Sequence, residues 1–251
     1  MQIYLSSKYA SSYNSNSISD CNFYLPVIEI PSQYHIYLSV QHAVIPYSFY
    51  NIDKYNNTID YKEVSGTFPY TIISSTILSI PIGSYNSLQL ASYLSSGVLP
   101  NLTVVYNSIQ GVFIFTNSTN NFILYPNTSI DLLGLSTDYI DNVSVSKKLS
   151  SPSVVNLASK QCIHIISNFN TGSINNVLTS NSHNILSCIP ILQQPFNNIT
   201  YTNTNNFKVN LFNNNISSIT IKLVDQSGNL LNLNNKHFSL TLQLDIVKFV
   251  E

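Results

Sequence analysis

The chain reads as an all-β protein, a two-sheet sandwich or a barrel interrupted by a small α+β module. Three observations predict this. Extended segments with one apolar face recur along most of the 251 residues, corners rich in Asn, Ser and Pro separate them, and one stretch alone carries a good helical period. The bulk numbers agree with a packed protein: 44% apolar residues, a net charge of -1 and a mean hydropathy of +0.10 are far from the low-hydrophobicity, high-charge regime of disorder.

The elements follow in order. Residues 1–20, through Ser11-Ser12-Tyr13-Asn14-Ser15-Asn16-Ser17, are polar and without period, which predicts an extended arm that orders against a partner. The first part of the sandwich is expected over 21–62. Cys21 to Ile30 and Tyr34 to Ile45 are its strands, the second alternating in Ile36, Leu38 and Val40, and Pro46 and then Asn56-Asn57 stop the pairing.

Residues 63–149 have a different texture and are expected to form the inserted β-α-β-β module. Tyr70 to Ile80 is a strand, followed by a helix over Ser87 to Ser95 that carries Leu88, Leu90, Ala91 and Leu94 on one face, with Gly97 and Pro100 as stop signals. Leu102 to Tyr106 and Val112 to Thr116 flank the turn Asn107-Ser108-Ile109-Gln110-Gly111 as a hairpin. Phe122 to Tyr125 is a further strand, and Ser129 to Gly134 a helical turn closed by glycine. Over 150–251 the sandwich resumes, with strands at Val154–Leu157, Gln161–Ser167, Ile185–Ile191, Thr200–Tyr201, Phe207–Phe212, Ile216–Val224 and Phe238–Val250. Ile219, Ile221, Leu223 and Leu240, Leu242, Leu244 give the last two long strands one buried face each.

Composition narrows the function. The chain has no arginine and no tryptophan, and only 8% of its residues are charged. Polarity is carried by amides and hydroxyls, which bond widely but cannot serve as acids, bases or anion clamps. An AT-rich codon bias accounts for the Asn excess but not for the scarcity of lysine. Near-neutral charge and scattered lysines, with only Lys147 and Lys148 adjacent, argue against nucleic acid. No apolar run spans a bilayer and Met1-Gln2-Ile3-Tyr4-Leu5 is no leader, so a protein without a transmembrane segment, made inside a cell, is expected.

No catalytic, cofactor-binding or metal residue stands out. His35 and His42 lie seven apart on one strand, which places them on opposite faces about 23 Å from each other. His164 and His183 show no ligand-type spacing. Cys21, Cys162 and Cys188 form no CxxC, and Cys162 with Cys188 could pair only on neighbouring strands. Asp53 with Asp60, or Asp138 with Asp141, are the remaining candidates for an acid/base pair of the glycosidase kind. GxSxG, P-loop and GxGxxG motifs are absent, so a non-enzymatic protein is expected. The seventeen tyrosines mostly suit strands, but Tyr4, Tyr9 and Tyr13 in the arm have no sandwich of their own and are expected to dock on a neighbouring subunit.

Ile45-Pro46-Tyr47-Ser48-Phe49-Tyr50-Asn51-Ile52 with Asn57, then Ile80-Pro81-Ile82-Gly83-Ser84-Tyr85-Asn86 leading to Leu90, then Gly134, resemble the penton and minor capsid proteins of virophages and Polinton-like viruses. The closing segment, Ile219 to Asp225, Gly228-Asn229-Leu230 and Phe238 to Ile246, is similar to the end of the same proteins. The resemblance implies a single jelly-roll β-sandwich with an inserted small α+β module, in homopentamers at the five-fold vertices of an icosahedral capsid. It implies backbone roles for Pro46 and Gly83 and carries over no binding residue and no cofactor. Implied partners are double jelly-roll trimers of the major capsid protein, with minor capsid proteins or a vertex fibre as further ones, and the implied location is the virion after synthesis in the host cytoplasm or virus factory. A carbohydrate-binding or fibre-type attachment protein, a minor capsid protein cementing capsomers and a glycoside hydrolase stay open as alternatives.

Overall fold

Period-two alternation commits most of the chain to strands, each with one face that has to be covered. The structure, a computed structural model, describes residues 1–248 except Ser32, Pro100, Pro126, Ser159, 170–183 and 213–214. His183 and the end of the last expected strand, Phe249–Val250, lie outside the described residues. In chain order the strands and α-helices are β1 (Gln2–Ser6), β2 (Ser12–Tyr13), β3 (Asp20–Glu29), β4 (Tyr34–Pro46), β5 (Thr58–Ser65), β6 (Thr71–Ser79), α1 (Ser87–Tyr93), β7 (Leu102–Asn107), β8 (Val112–Asn117) and β9 (Asn121–Tyr125). There follow α2 (Ile130–Leu133), β10 (Lys148–Ser150), β11 (Cys162–Ser167), β12 (Ile185–Pro190), β13 (Asn198–Thr202), β14 (Val209–Leu211), β15 (Asn215–Val224) and β16 (Ser239–Lys248).

The chain divides into two compact units, residues 1–49 with 160–251, and Tyr50–Ser159. The first is the jelly-roll sandwich. One sheet runs β1-β16-β4-β13, with β14 sharing the β13 edge of β4, and the other runs β12-β11-β15-β3-β2. All pairings are antiparallel and they join distant parts of the chain: Tyr4 lies opposite Thr241, and Ile36 opposite Ile246. Ile36, Leu38, Leu242 and Leu244 of one sheet meet Phe23, Ile163, Ile165, Ile219 and Leu223 of the other in one apolar core.

The amino-terminal segment corrects the expectation of an extended arm that orders against a partner. Residues 2–6 are an edge strand on β16 of the same chain, Leu5 is buried in the core, and the Ser7 amide donates to the Phe238 carbonyl at 3.0 Å. The sequence concealed this because an edge strand of five residues turns only Ile3 and Leu5 toward the core, too short a run for its alternation to stand out. A bulge corrects a second expectation. Val40 faces Leu242 and His42 faces Thr241, so Gln41 is an extra residue in β4, and buried positions shift from 36, 38 and 40 to 43 and 45. The extra residue resets the alternation, which puts His35 and His42 on the same outer face.

In the second unit β6-β5-β9 and β10-β8-β7 form two small sheets, and with α1 and α2 they enclose a core of Tyr61, Phe113, Phe115, Phe122, Leu90 and Leu133. Helix α1 starts at a capping box: Asn86 accepts from the Gln89 amide at 2.8 Å, and Gln89 accepts from the Asn86 amide at 3.0 Å. Leu90, Ala91 and Leu94 are buried as the pattern required, whereas Leu88 is exposed. The helix opens into a wider turn that contains Gly97, φ +87°. Expected boundaries at 63 and 149 move outward to 50 and 159. A cut at 63 would divide β5, whose partners are β6 and β9, and β10 at 148–150 pairs with β8. Val154–Leu157, expected as a strand, is loop, its Val155 amide donating to the Gly111 carbonyl and its Asn156 amide to that of Asp131.

Candidate functional site

Where β1 borders its sheet and β3 lies inside the short edge strand β2, Tyr4, Tyr9 and Tyr24 line a shallow groove of about 530 Å³ floored by Leu5, Phe23 and Leu240. They are 73%, 77% and 73% exposed, so these aromatic rings do not fill the core of their own sandwich. The groove is held from beneath. Tyr13 donates its hydroxyl to the Ser7 carbonyl at 2.6 Å, and the Tyr24 amide donates to the Ser11 hydroxyl at 3.0 Å. Lys8 lies 5.6 Å from the Tyr9 ring centroid, a cation beside an aromatic face. The outer edge of β1, at the end of its sheet, presents strand backbone.

A second cluster lies on the outer face of the other sheet. Because Ile163 and Ile165 of β11 point into the core, Cys162 and His164 point away from it, and Cys188 of β12 lies directly opposite His164. Cys162 Sγ and His164 Nε2 are 3.5 Å apart, and the ligand atoms of all three residues lie within 4.8 Å of one another. The turn after β15 closes one side: Asp225 accepts from the amides of Ser227 and Asn229, both at 2.9 Å, and Gln226 accepts from the Gln161 amide at 3.2 Å. Burial, then the Cys188 thiol and the Asp225 carboxylate, push the Cys162 thiol up to about 12. Burial lowers His164 against the opposing pull of Asp225, which favours the neutral imidazole. The three cysteines are free thiols; Cys21, on β3, faces the core and donates to the Ile18 carbonyl. Sequence reasoning passed over the cluster, although Cys162-x-His164 on a strand already placed two ligands on one face. Cys188 required the register of β11 against β12.

The acids expected as a catalytic pair are held in local structure. Asp53 accepts from the Tyr55 amide at 2.8 Å and Asp138 from the Ile140 amide at 3.0 Å, Asp60 pairs with Lys62 at 3.6 Å, and Asp141 accepts from Ser136 at 2.8 Å. The inserted unit does bury one acid, Glu63, which accepts from Asn117 at 2.9 Å, Asn120 at 3.0 Å and Tyr61 at 3.3 Å. Burial pushes its carboxyl up, and these hydrogen bonds more than offset that, leaving it below its ordinary 4.5. Such a carboxylate is a structural anchor for β5 and the end of β8. Among the described residues no helix is long and apolar enough to cross a membrane.

No family model matches the chain, and no curated protein matches it. Solved structures do. The chain is similar in fold to the mavirus penton protein, at 13% identity and a TM-score of 0.53, covering 99% of this chain and 100% of that one. A chain in the cryo-EM structure of the Sputnik virophage matches at 14% identity and a TM-score of 0.48, covering 98% of each. The chain is thus all-β and shares its fold with the mavirus penton protein, the inserted unit included in the match.

Proposed function

We propose that the chain is a structural capsid subunit, a penton that closes into homopentamers at the five-fold vertices of an icosahedral virophage-type capsid. The observation that carries this reading is the likeness in fold to the mavirus penton protein over the whole length of both chains. The tyrosine-lined groove supports it. Exposed tyrosines offer large contact area at little entropic cost, and a chain without arginine has to assemble through apolar area, amides and strand pairing. The neighbouring copy supplies the cover for Tyr4, Tyr9 and Tyr24, and the outer edge of β1 is available for strand addition. The pentamer meets double jelly-roll trimers of the major capsid protein, with minor capsid proteins or a fibre as further partners, without contacting nucleic acid directly.

Native mass spectrometry of the purified protein, with reconstruction of purified particles, tests the reading. Five copies per ring and density at the vertices are expected; a monomer absent from particles overturns it. The same tyrosines suit a sugar-binding face. Strong, specific signal on a glycan array, lost in Tyr4→Ser and Tyr9→Ser, would make the attachment reading the better one.

A further inference from the structure

We propose that Cys162, His164 and Cys188 form a binding site for a thiophilic divalent cation, zinc above others, that pins edge strand β12 to β11. The chain carries only three cysteines and five histidines in 251 residues, yet two of the former and one of the latter converge on one patch of one sheet. In a tetrahedral site with Zn–S near 2.3 Å and Zn–N near 2.0 to 2.1 Å, adjacent sulfur and nitrogen ligands stand roughly 3.6 Å apart and two sulfurs roughly 3.8 Å apart. Cys162 Sγ and His164 Nε2 are 3.5 Å apart and all three donors lie within 4.8 Å, so small rotations of side chains complete the geometry without moving backbone.

The chemistry of the donor set fits as well. Two sulfurs and one imidazole select zinc or a related soft ion over magnesium or calcium, which require oxygen donors. Both thiols lose their protons as the metal binds, and the two thiolates balance the charge of a divalent ion. The turn Asp225–Asn229 is fixed by its own hydrogen bonds and tethered to Gln161, so one flank of the site is preorganised. Cys188 is exposed, which leaves an entry path and a fourth position for water.

The test uses the full chain, reduced and freed of metal, titrated with cobalt(II) and then with zinc(II). Expected are one equivalent bound, a sulfur-to-cobalt charge-transfer band with the intense visible bands of a four-coordinate ion, and their loss when zinc displaces cobalt. Cys188→Ser, at an exposed position, abolishes the charge-transfer band, and His164→Ala weakens zinc by more than the roughly 10–100-fold that an outer-shell partner is worth. A hundredfold excess of zinc over its Kd raises the melting temperature of the sandwich by about 5–10 °C. Without any mutation, zinc protects Cys188 from alkylation in the folded protein. Absence of the charge-transfer band, its persistence in Cys188→Ser, unprotected alkylation, or a Cys162–Cys188 disulfide in protein isolated without reductant would each overturn the proposal.

Discussion

The sandwich and the inserted unit solve the same packing problem with different use of the chain. In Tyr50–Ser159 strands adjacent in sequence pair as hairpins, β5 with β6 and β7 with β8, and β9 then joins the other side of β5 with Tyr125 opposite Asp60. The sandwich joins the ends of the chain, with Gln2 opposite Gln243 and the Met1 amino group donating to the Leu244 carbonyl at 2.8 Å. Polar anchors differ in the same way. Glu63 sits mid-strand in the inserted unit, bonded to the Tyr61 of its core, whereas the buried acids of the sandwich, Asp20 and Asp225, lie at a strand start and in a turn. The inserted unit thus carries a buried carboxylate inside a strand by tying β5 to Asn117 and Asn120, while the sandwich, which joins the two ends of the chain, keeps its buried acids out of strand interiors and depends on its outermost strands to close it.

The largest effect is expected from removing those strands. Deleting residues 1–9 strips β1 from β16 and uncovers the core at Leu5. Loss of that one side chain alone is worth about 2–5 kcal/mol, so denaturant unfolding should show a large loss for the deletion; unchanged stability would return the segment to the status of a free arm. In the inserted unit Phe113→Ala should cost about 3–5 kcal/mol, with faster amide exchange concentrated in 50–159. Exchange that rises equally in β4 and β16 would mean that the two units do not respond separately.

Glu63→Ala leaves Asn117, Asn120 and Tyr61 as donors without their acceptor and should cost about 1–3 kcal/mol at neutral pH. The pH dependence follows from the lowered carboxyl. A group whose folded value lies below its unfolded value contributes stability that is present above the unfolded value and disappears as pH falls through the folded one. Wild type should therefore lose stability on acidification below about 4.5 more steeply than Glu63→Gln, and parallel acid-unfolding profiles would contradict the assignment. Gly134→Ala tests a tighter constraint: φ is +67° and an added Cβ would sit 2.2 Å from the Ser153 carbonyl oxygen. The left-handed backbone alone costs about 1–2 kcal/mol, before any shift of the 151–153 segment, and an unaltered melting temperature would show that this loop yields freely. The smallest effect on folding is expected at the groove. Tyr4→Ser, Tyr9→Ser and Tyr24→Ser should each change stability by less than about 0.5 kcal/mol yet weaken ring formation, and unaltered assembly of the triple variant would remove the groove from the interface.

Legibility cut across the two units and separated local signals from strand pairing. Strands β3, β4, β15 and β16, the hairpin β7–β8, helix α1 and the glycine cap of α2 were readable because periodicity and turn chemistry are local signals. The edge strands β1 and β2, the bulge at Gln41 and the placement of β5 inside the inserted unit were not, since each depends on which strand lies alongside. The cluster at Cys162 was half legible: two donors share a face by alternation, and the third, Cys188, arrives through the pairing of β12 with β11.

Two properties were settled in the sequence: the class of fold, an interrupted all-β sandwich, and the absence of guanidinium groups, which leaves most polar contacts to amides and hydroxyls. Both follow from composition and from period-two burial, which belong to single segments. Tertiary structure alone decided that the amino terminus closes its own sheet, that Tyr4, Tyr9 and Tyr24 gather around one groove, and that two thiols and an imidazole meet. Those outcomes depend on register between strands far apart in the chain, and register is fixed only when two faces are buried together.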